Sequence, residues 1–364
     1  MPLRIERGED RIVNEEGVRS PHLFQLRNGD ILMTFHVQSD MHFAKRKCFR
    51  STDKGQTFQE DPQRNHREMA WGQLSNGAVL AFDRDTFEKE QGVMLGMYHR
   101  SDDGGKTFTG PHIAEVNINR TATSDYPLSP EQYPEKSHPQ CDYFQPIPEF
   151  YRPVLDQASH RRGFTFWRYI FEHEGRLLNA MQGRFHADRG SRTVLVASED
   201  EGKTWNYVTT IAYDHDPRIQ GMSEPVLRQV ADGSLLCIMR RGGREPLAQC
   251  RSTDGGQTWS EPELLAGWGV DPDLYLMSNG VLACTFGRPG LHIMFSEDGC
   301  GYAWGYHTVI GEWSSSTYMG ITEIAPDTLL LAYDAKKSED PALRRCDENC
   351  YIAATTLTVE QYEL

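Results

Sequence analysis

Apolar residues in this chain gather in short runs of strand length, and the breaks between them carry turn residues. Strand, tight turn and second strand recur at Leu26-Arg27-Asn28-Gly29-Asp30-Ile31-Leu32 and Leu74-Ser75-Asn76-Gly77-Ala78-Val79-Leu80. The same unit returns at Glu172-His173-Glu174-Gly175-Arg176-Leu177-Leu178, Val230-Ala231-Asp232-Gly233-Ser234-Leu235-Leu236, Met277-Ser278-Asn279-Gly280-Val281-Leu282 and Ile324-Ala325-Pro326-Asp327-Thr328-Leu329-Leu330. Asn-Gly and Asp-Gly between apolar runs are strong hairpin signals, because both residues tolerate the positive φ that a two-residue turn requires. Six hairpins are predicted, and helix patterns are scarce.

A second pattern runs in phase with the first. Ser51-Thr52-Asp53-Lys54-Gly55-Gln56-Thr57-Phe58 returns as Ser101-Asp102-Asp103-Gly104-Gly105-Lys106-Thr107-Phe108, as Ser198-Glu199-Asp200-Glu201-Gly202-Lys203-Thr204-Trp205 and as Ser252-Thr253-Asp254-Gly255-Gly256-Gln257-Thr258-Trp259. A fifth copy starts at Ser296-Glu297-Asp298-Gly299 and then loses register, with Trp304 as its candidate aromatic. Ser and Asp bond back to their own backbone, Gly permits positive φ, and the aromatic plugs the turn. Each repeat therefore reads strand A, turn, strand B, strand C, polar turn, strand D. The sixth lacks the polar turn and ends in the strand-like Tyr351 to Val359, which the segment around Leu3 to Val13 is expected to complete. Repeats of this kind predict an all-β, six-bladed propeller forming a single domain over residues 1–364.

The spacing is interrupted once. Residues 109–163 show neither repeat and are rich in Pro, Tyr, Ser and charge, so they are expected to form a long insertion. Connections from strand D to the next strand A lie opposite the tight turns, which puts this insertion on the face where strand A begins. It is read either as a wall of a substrate pocket or as a packing or oligomerisation flap.

The same geometry points to a site. Strand A lines the channel of a propeller, so its first residues and the last residues of strand B meet at one mouth. Counting back about nine or ten residues from each turn reaches Arg19, Arg67, Glu224, Asp271 and Tyr318, with Arg168 slightly deeper; counting forward reaches His36, Arg84, Gln182, Arg240, Arg288 and Asp334. Any one Arg alone would equally suit a surface ion pair. A shared ring of Arg, carboxylates and Tyr is not core composition and points to a ligand.

The polar turn resembles the Asp-box of the sialidase and BNR-repeat families. Within the ring, Arg19-Ser20-Pro21 resembles the Arg-Ile-Pro entry motif whose Arg grips the sialic acid carboxylate. Glu224-Pro225 and Met239-Arg240 are similar to that family's Glu and second Arg, and Tyr318 falls where its nucleophilic Tyr would stand. The resemblance implies a retaining exo-glycoside hydrolase acting on acidic, sialic acid-type terminal sugars. Tyr318 would be nucleophile, Glu224 its base, and Arg19, Arg240 and Arg288 the anion clamp, with Arg67 or Arg168 as further cations. A neutral phenol avoids the repulsion that a carboxylate nucleophile would meet beside an acidic sugar, and sialidases are the recognised Tyr-nucleophile exception among glycosidases. Asp40, in the loop after the first hairpin, is expected to be the acid/base, with His42 as substitute if Asp40 only forms a turn; His36 lies nearby. The loop is shorter than the sialidase pattern, and the context of Arg288 departs from it. Two alternatives stay open: a propeller hydrolase or lyase for another sugar such as a uronic acid, using Asp271, His36 or His42, and a non-catalytic propeller that binds glycans or protein.

Composition narrows the partners. A net charge of -14 in 364 residues argues against nucleic acid or an anionic membrane as a broad partner, leaving carbohydrate as the expected one. Met1-Pro2-Leu3-Arg4-Ile5-Glu6-Arg7 contains no apolar run of signal-peptide length and no later run approaches a membrane span. A cytoplasmic protein is expected, with secretion open if a leader once preceded Met1. Of the eight cysteines, Cys237 and Cys284 sit in apolar strands and Cys346 and Cys350 form an isolated pair, read as structural rather than as a zinc clip. His292 and His307 are read as structural, Gly242-Gly243 as a loop, and no metal or organic cofactor is expected. Oligomeric state is not legible.

Overall fold

The computed structural model describes residues 2–16, 19–37, 46–61, 68–118, 151–158, 163–185, 188–216, 219–242, 245–265, 269–311, 318–338 and 349–362. After β1 (Leu3–Arg7) and β2 (Arg11–Asn14), the strands fall into consecutive meanders. The first is β3 (Arg19–Gln25), β4 (Ile31–His36), β5 (Arg46–Ser51) and β6 (Gln59–Glu60). The second is β7 (Glu68–Gln73), β8 (Val79–Glu90), β9 (Val93–Ser101) and β10 (Thr109–Asn117). Helix α1 (Arg152–Leu155) precedes the third, whose inner strand is broken into β11 (Arg168–Tyr169) and β12 (Phe171–His173), followed by β13 (Arg176–Gly183), β14 (Arg192–Ser198) and β15 (Thr204–Tyr213). The fourth is β16 (Ser223–Gln229), β17 (Leu235–Arg240), β18 (Ala248–Ser252) and β19 (Glu263–Leu264); the fifth is β20 (Val270–Leu276), β21 (Leu282–Gly287), β22 (Leu291–Ser296) and β23 (Gly305–Gly311). The last, β24 (Met319–Ala325), β25 (Thr328–Lys336) and β26 (Cys350–Gln361), is completed by β1 and β2, both antiparallel to β26. The chain ends are thus tied into one blade, as the repeat count anticipates.

Buried apolar residues form a cluster at each junction between successive blades. Phe82, Phe166 and Trp205 join the second blade to the third; Leu178, Cys237 and Cys250 the third to the fourth; Ile238, Cys284 and Phe286 the fourth to the fifth. Phe295, Leu331 and Val359 join the fifth to the sixth, Met33, Phe49 and Leu330 the sixth to the first, and Leu26, Trp71 and Val79 the first to the second. Burial between neighbours, rather than one central core, supplies the hydrophobic stabilisation of this ring.

The polar turns are what their composition predicts. In the first, the Ser51 hydroxyl donates to Asp53 Oδ1 (2.7 Å) and accepts from the Gly55 N–H (2.7 Å), while Asp53 accepts from the Thr57 N–H (2.9 Å) and hydroxyl (2.6 Å). Ser101, Ser198 and Ser252 repeat the hydroxyl pattern. The fifth turn is also formed: Ser296 bonds Asp298 (2.5 Å), but Gly301 rather than Cys300 reaches the serine oxygen (3.1 Å), so one extra residue displaces the register. Four of the five turns also receive an arginine from the preceding blade at a backbone carbonyl: Arg11 bonds Gly55 O, Arg50 bonds Gly105 O, Arg176 bonds Gly255 O and Arg251 bonds Cys300 O, while Arg100 bonds the Glu201 side chain of the third-blade turn. In all five blades the turn serine pairs with the first or second residue of strand B, which sets the boxes at the end of the sheet opposite Arg19, Glu224 and Arg240.

One expectation is corrected. Residues 109–117 are β10, the fourth strand of the second blade, so the stretch read as an insertion from residue 109 begins with regular sheet. Its next described part is α1, against which Tyr151 is buried with its hydroxyl on Asp85 (3.2 Å) and its ring edge-on to Phe87. Residues 119–150, and hence the face they occupy, lie outside the described residues. Cys237 and Cys284 are buried, as expected; Cys346 lies outside the described residues and Cys350 is buried. Among the described residues no helix is long and apolar enough to cross a membrane.

Two outcomes test the turns. Ser198→Ala removes the acceptor of a buried Gly202 N–H and should lower unfolding free energy by about 1–3 kcal/mol in urea melts. Hydrogen bonds, foremost from the Thr57 and Thr258 hydroxyls, hold Asp53 and Asp254 down to about 2. A depressed carboxyl contributes stability above the unfolded value near 4 that is lost as pH falls toward about 2. Asp53→Asn/Asp254→Asn should therefore show a shallower loss of stability over that interval than the wild type.

Candidate active site

Side chains reach the mouth through a local distortion that recurs at the inner strands. A bulge interrupts pairing between Arg19 and His22, Glu68 and Ala70, Ser223 and Val226, and Val270 and Asp273. At these starts Ser20, Glu224 and Asp271 adopt left-handed φ values of 51°, 48° and 43°, and Arg168 begins β11 at 53°. Non-glycine residues held there cost roughly 1–3 kcal/mol each and persist only where surroundings over-determine them. In three of the four a proline follows, giving the repeated pairs Ser20-Pro21, Glu224-Pro225 and Asp271-Pro272.

The bulge turns Glu224 toward the axis, where its carboxylate is fully engaged. Oε1 accepts from the Tyr318 hydroxyl (2.6 Å) and from Arg240 Nη1 (2.7 Å), and Oε2 accepts from the backbone N–H of Asp271 (2.8 Å). The Glu224 N–H donates to the Gln182 side-chain oxygen. Arg240 is held by Gly242 O (3.2 Å) and Gln220 Oε1 (3.4 Å). Burial disfavours the Arg240 charge, yet Glu224 and Tyr318 outweigh it and raise its pKa. The sixth, fourth and fifth blades thus converge on one carboxylate, to which the Tyr318 hydroxyl donates.

Beneath this triangle lies a buried ionic layer. Arg168 donates to Asp271 Oδ2 (2.6 Å) and Asp273 Oδ2 (2.9 Å), and also to the carbonyl oxygens of Asp271 (3.1 Å) and Met319 (3.3 Å). Trp167 Nε1 bonds Asp271 Oδ1 (3.3 Å), and the Tyr169 hydroxyl bonds Asp273 (3.1 Å) with Arg228 stacked 3.3 Å over its ring. Burial opposes the Arg168 charge, but the two aspartates raise its pKa. Asp271 is pushed up to about 7, by burial first, with Arg168 opposing and the Glu224 and Asp273 charges adding. His22 Nε2 lies 4.0 Å from Asp271 and is driven neutral by burial and by Arg168, Arg46 and His36.

Among the residues expected at this site, Glu224, Tyr318 and Arg240 are brought together. Arg168 and Asp271 are fully buried against each other rather than open to a ligand, because two aspartates and two carbonyls already occupy the guanidinium. Arg288 is exposed in the turn between β21 and β22 rather than on the inner ring, one residue beyond Gly287, the register equivalent of Arg240. Arg19 is half-buried and His36 buried at the corresponding end of the first blade, paired in register. Asp40, His42 and Arg67 lie outside the described residues. Gln182 was reached by the counting but given no role. Asp273, His22 and Arg46 were missed; Arg46 is buried with Nη2 on Ser20 O (3.1 Å). The repeated Xaa-Pro pairs and the Asp271-Pro272-Asp273 spacing were the available signals. His292 and His307 bond each other (2.9 Å) on the fifth blade, away from this cluster. No group of three or more metal-ligating side chains occurs among the described residues.

Residues 162–322 match the family described as a BNR repeat-like domain. No curated protein matches the chain. Among solved structures, a protein of unknown function from Dyadobacter fermentans is 17% identical with a TM-score of 0.69, covering 98% of this chain and 99% of its own. An alpha-L-arabinanase from Penicillium chrysogenum complexed with arabinobiose is 13% identical with a TM-score of 0.63, covering 96% and 98%. An intramolecular trans-sialidase from Ruminococcus gnavus in complex with oseltamivir carboxylate is 14% identical with a TM-score of 0.58, covering 93% of each chain. The fold is that of the sialidase-like, BNR-repeat propellers, a framework shared with glycoside hydrolases.

The raised Asp271 carboxyl has a consequence for stability. Its folded pKa lies above the unfolded value near 3.8, so the native state binds the extra proton and its contribution is lost as pH rises through about 7. Urea unfolding should show wild-type stability falling between about pH 4 and pH 7, with that slope reduced in Asp271→Asn.

Proposed function

We propose that this sialidase-like propeller is a retaining exo-glycoside hydrolase acting on an acidic, sialic acid-type terminal sugar. One observation carries the reading: the Tyr318 hydroxyl lies 2.6 Å from Glu224 Oε1, with Arg240 2.7 Å from the same oxygen. A base within hydrogen-bond reach of a hydroxyl is the signature of an activated nucleophile. In the first step Tyr318 Oη attacks the anomeric carbon, its proton passes to Glu224, and the bond to the aglycone oxygen breaks as that oxygen is protonated. Asp40, with His42 as substitute, is assigned as the donor of that proton. Water then adds to the anomeric carbon from the face the aglycone left, giving its proton to the deprotonated acid/base, while the phenolate leaves and recovers its proton from Glu224. Arg240 and Arg19 are assigned to the sugar carboxylate, which two guanidinium groups would hold by charge-assisted bonds.

A second reading keeps the hydrolase and changes the sugar. It is favoured by the placement of the other two arginines: Arg168 is committed to Asp271 and Asp273, and Arg288 is exposed in a turn. A uronic acid, or an arabinofuranosyl unit such as the arabinanase relative suggests, needs fewer cations. A non-catalytic glycan-binding propeller leaves the Tyr318 to Glu224 hydrogen bond without a task.

Release of aglycone from aryl sialosides, uronides and α-L-arabinofuranosides separates these. We expect activity on sialosides that falls by about 10²–10⁴-fold in Tyr318→Phe and Glu224→Gln, both still folded by circular dichroism. Turnover of uronides or arabinofuranosides alone moves the assignment to the second reading. Silence across the panel, with glycan binding intact, removes the hydrolase.

A further inference from the structure

Three of the left-handed residues at the inner-strand starts, Arg168, Glu224 and Asp271, are also the three joined in one chain of bonds. Their order along that chain is informative. Arg168 leaves β11 in the third blade and crosses the channel to reach the fifth and sixth. On the fifth it grips Asp271 twice, at the carboxylate (2.6 Å) and at the backbone carbonyl (3.1 Å). A residue held at both places has little freedom to rotate its own amide, and that N–H is the one bonded to Glu224 Oε2 at 2.8 Å. On the sixth blade Arg168 holds the carbonyl of Met319 at 3.3 Å, the residue directly after Tyr318. One guanidinium therefore fixes both the backbone that orients Glu224 and the backbone that presents Tyr318.

We propose that Arg168 is a positioning residue: through Asp271 and the Met319 carbonyl it sets the separation and orientation of the Glu224 carboxylate and the Tyr318 hydroxyl. The inference rests on the reading of that pair as base and nucleophile for its catalytic part, but its geometric part stands without it. Arg168 has no accessible surface to offer a ligand, being 1% exposed, so its action passes entirely through these contacts. Lysine cannot replace it, since a single ammonium lacks the planar fork that spans two carboxylates and two carbonyls. The alternative is a buried ion pair that serves only stability, as many such pairs do or fail to do.

The test compares Arg168→Met, Arg168→Lys and Arg168→Met/Asp271→Asn. The double variant removes Arg168 together with one of its two carboxylates, and Asp273 keeps the Tyr169 hydroxyl and the Arg228 charge. Crystal structures come first, because they need no substrate. We expect Glu224 to turn away from Tyr318, so that the 2.6 Å hydrogen bond is lost in the folded double variant. On whichever glycoside the wild type turns over, kcat should fall about 100-fold, the scale of an ångström misplacement. KM should stay within about threefold, since no ligand contact is removed. Arg168→Lys should recover thermal stability more fully than it recovers kcat. A folded double variant that keeps the Tyr318, Glu224 and Arg240 geometry overturns the proposal. So does one whose melting temperature falls while kcat per folded molecule is unchanged. A wild type with no glycosidase activity counts against the proposed function alone, and the crystallographic comparison still decides this one.

Discussion

The inner strands bring Arg168, Glu224, Asp271 and Asp273 together with almost no exposure to solvent. That constraint governs the centre of the molecule. A charge brought there must find a partner across the channel, and Arg168 finds two, Asp271 and Asp273, on a blade that is not its own neighbour. The pairing crosses the ring as a strut. Its cost in desolvation is offset by the bonds of its two Nη groups to Asp271, Asp273 and Met319, while its buried Nε makes none. Once the strut is in place, the neighbouring amide has one direction to point, and Glu224 meets it.

The outer part of the fold obeys a different rule. Its turns are local: Ser and Asp bond backbone within five residues of themselves, and four of the five take one arginine from the preceding blade at a backbone carbonyl. Local rules are legible in a sequence, which is why hairpins and polar turns could be counted into six units. The fifth turn shows the limit of such legibility. One inserted residue, ending in Gly301 rather than Cys300, hides the phrase without destroying its bonding. Long-range pairing is less visible. Nothing local announces that β8 and β9 extend past their neighbours, or that residues 109–117 pair with Val93 to Arg100 rather than open a loop.

The site divides along the same line. Glu224, Arg240 and Tyr318 were found by counting from turns, because distance along a strand fixes distance from the mouth. Counting does not fix which way a side chain leaves the backbone at a bulge. Arg168 and Arg288 fall at ring positions by arithmetic, but a left-handed φ of 53° turns the first inward to Asp271, and the second lies just past the end of β21, in an exposed turn with a φ of 67°. The aspartate two residues beyond Asp271 was passed over for the opposite reason. It reads as ordinary strand, and only the partner across the channel gives Asp273 its meaning.

Strain and burial then act in one direction. Left-handed backbone at Arg168, Glu224 and Asp271 would relax in a peptide, and it is retained because each of these residues bonds a group presented by another blade. The blades are themselves held apart at fixed spacing by the apolar clusters between them and by the arginine contacts on the far face. A loss of stability at that far face need not move Glu224, since the inner strands keep their spacing until the ring opens. A loss at the strut must move it, since no apolar contact replaces the directional grip on the Asp271 amide. The propeller thus separates the residues that keep it closed from the residues that set the Glu224, Tyr318 and Arg240 geometry, and it does so by putting them at opposite ends of the same strands.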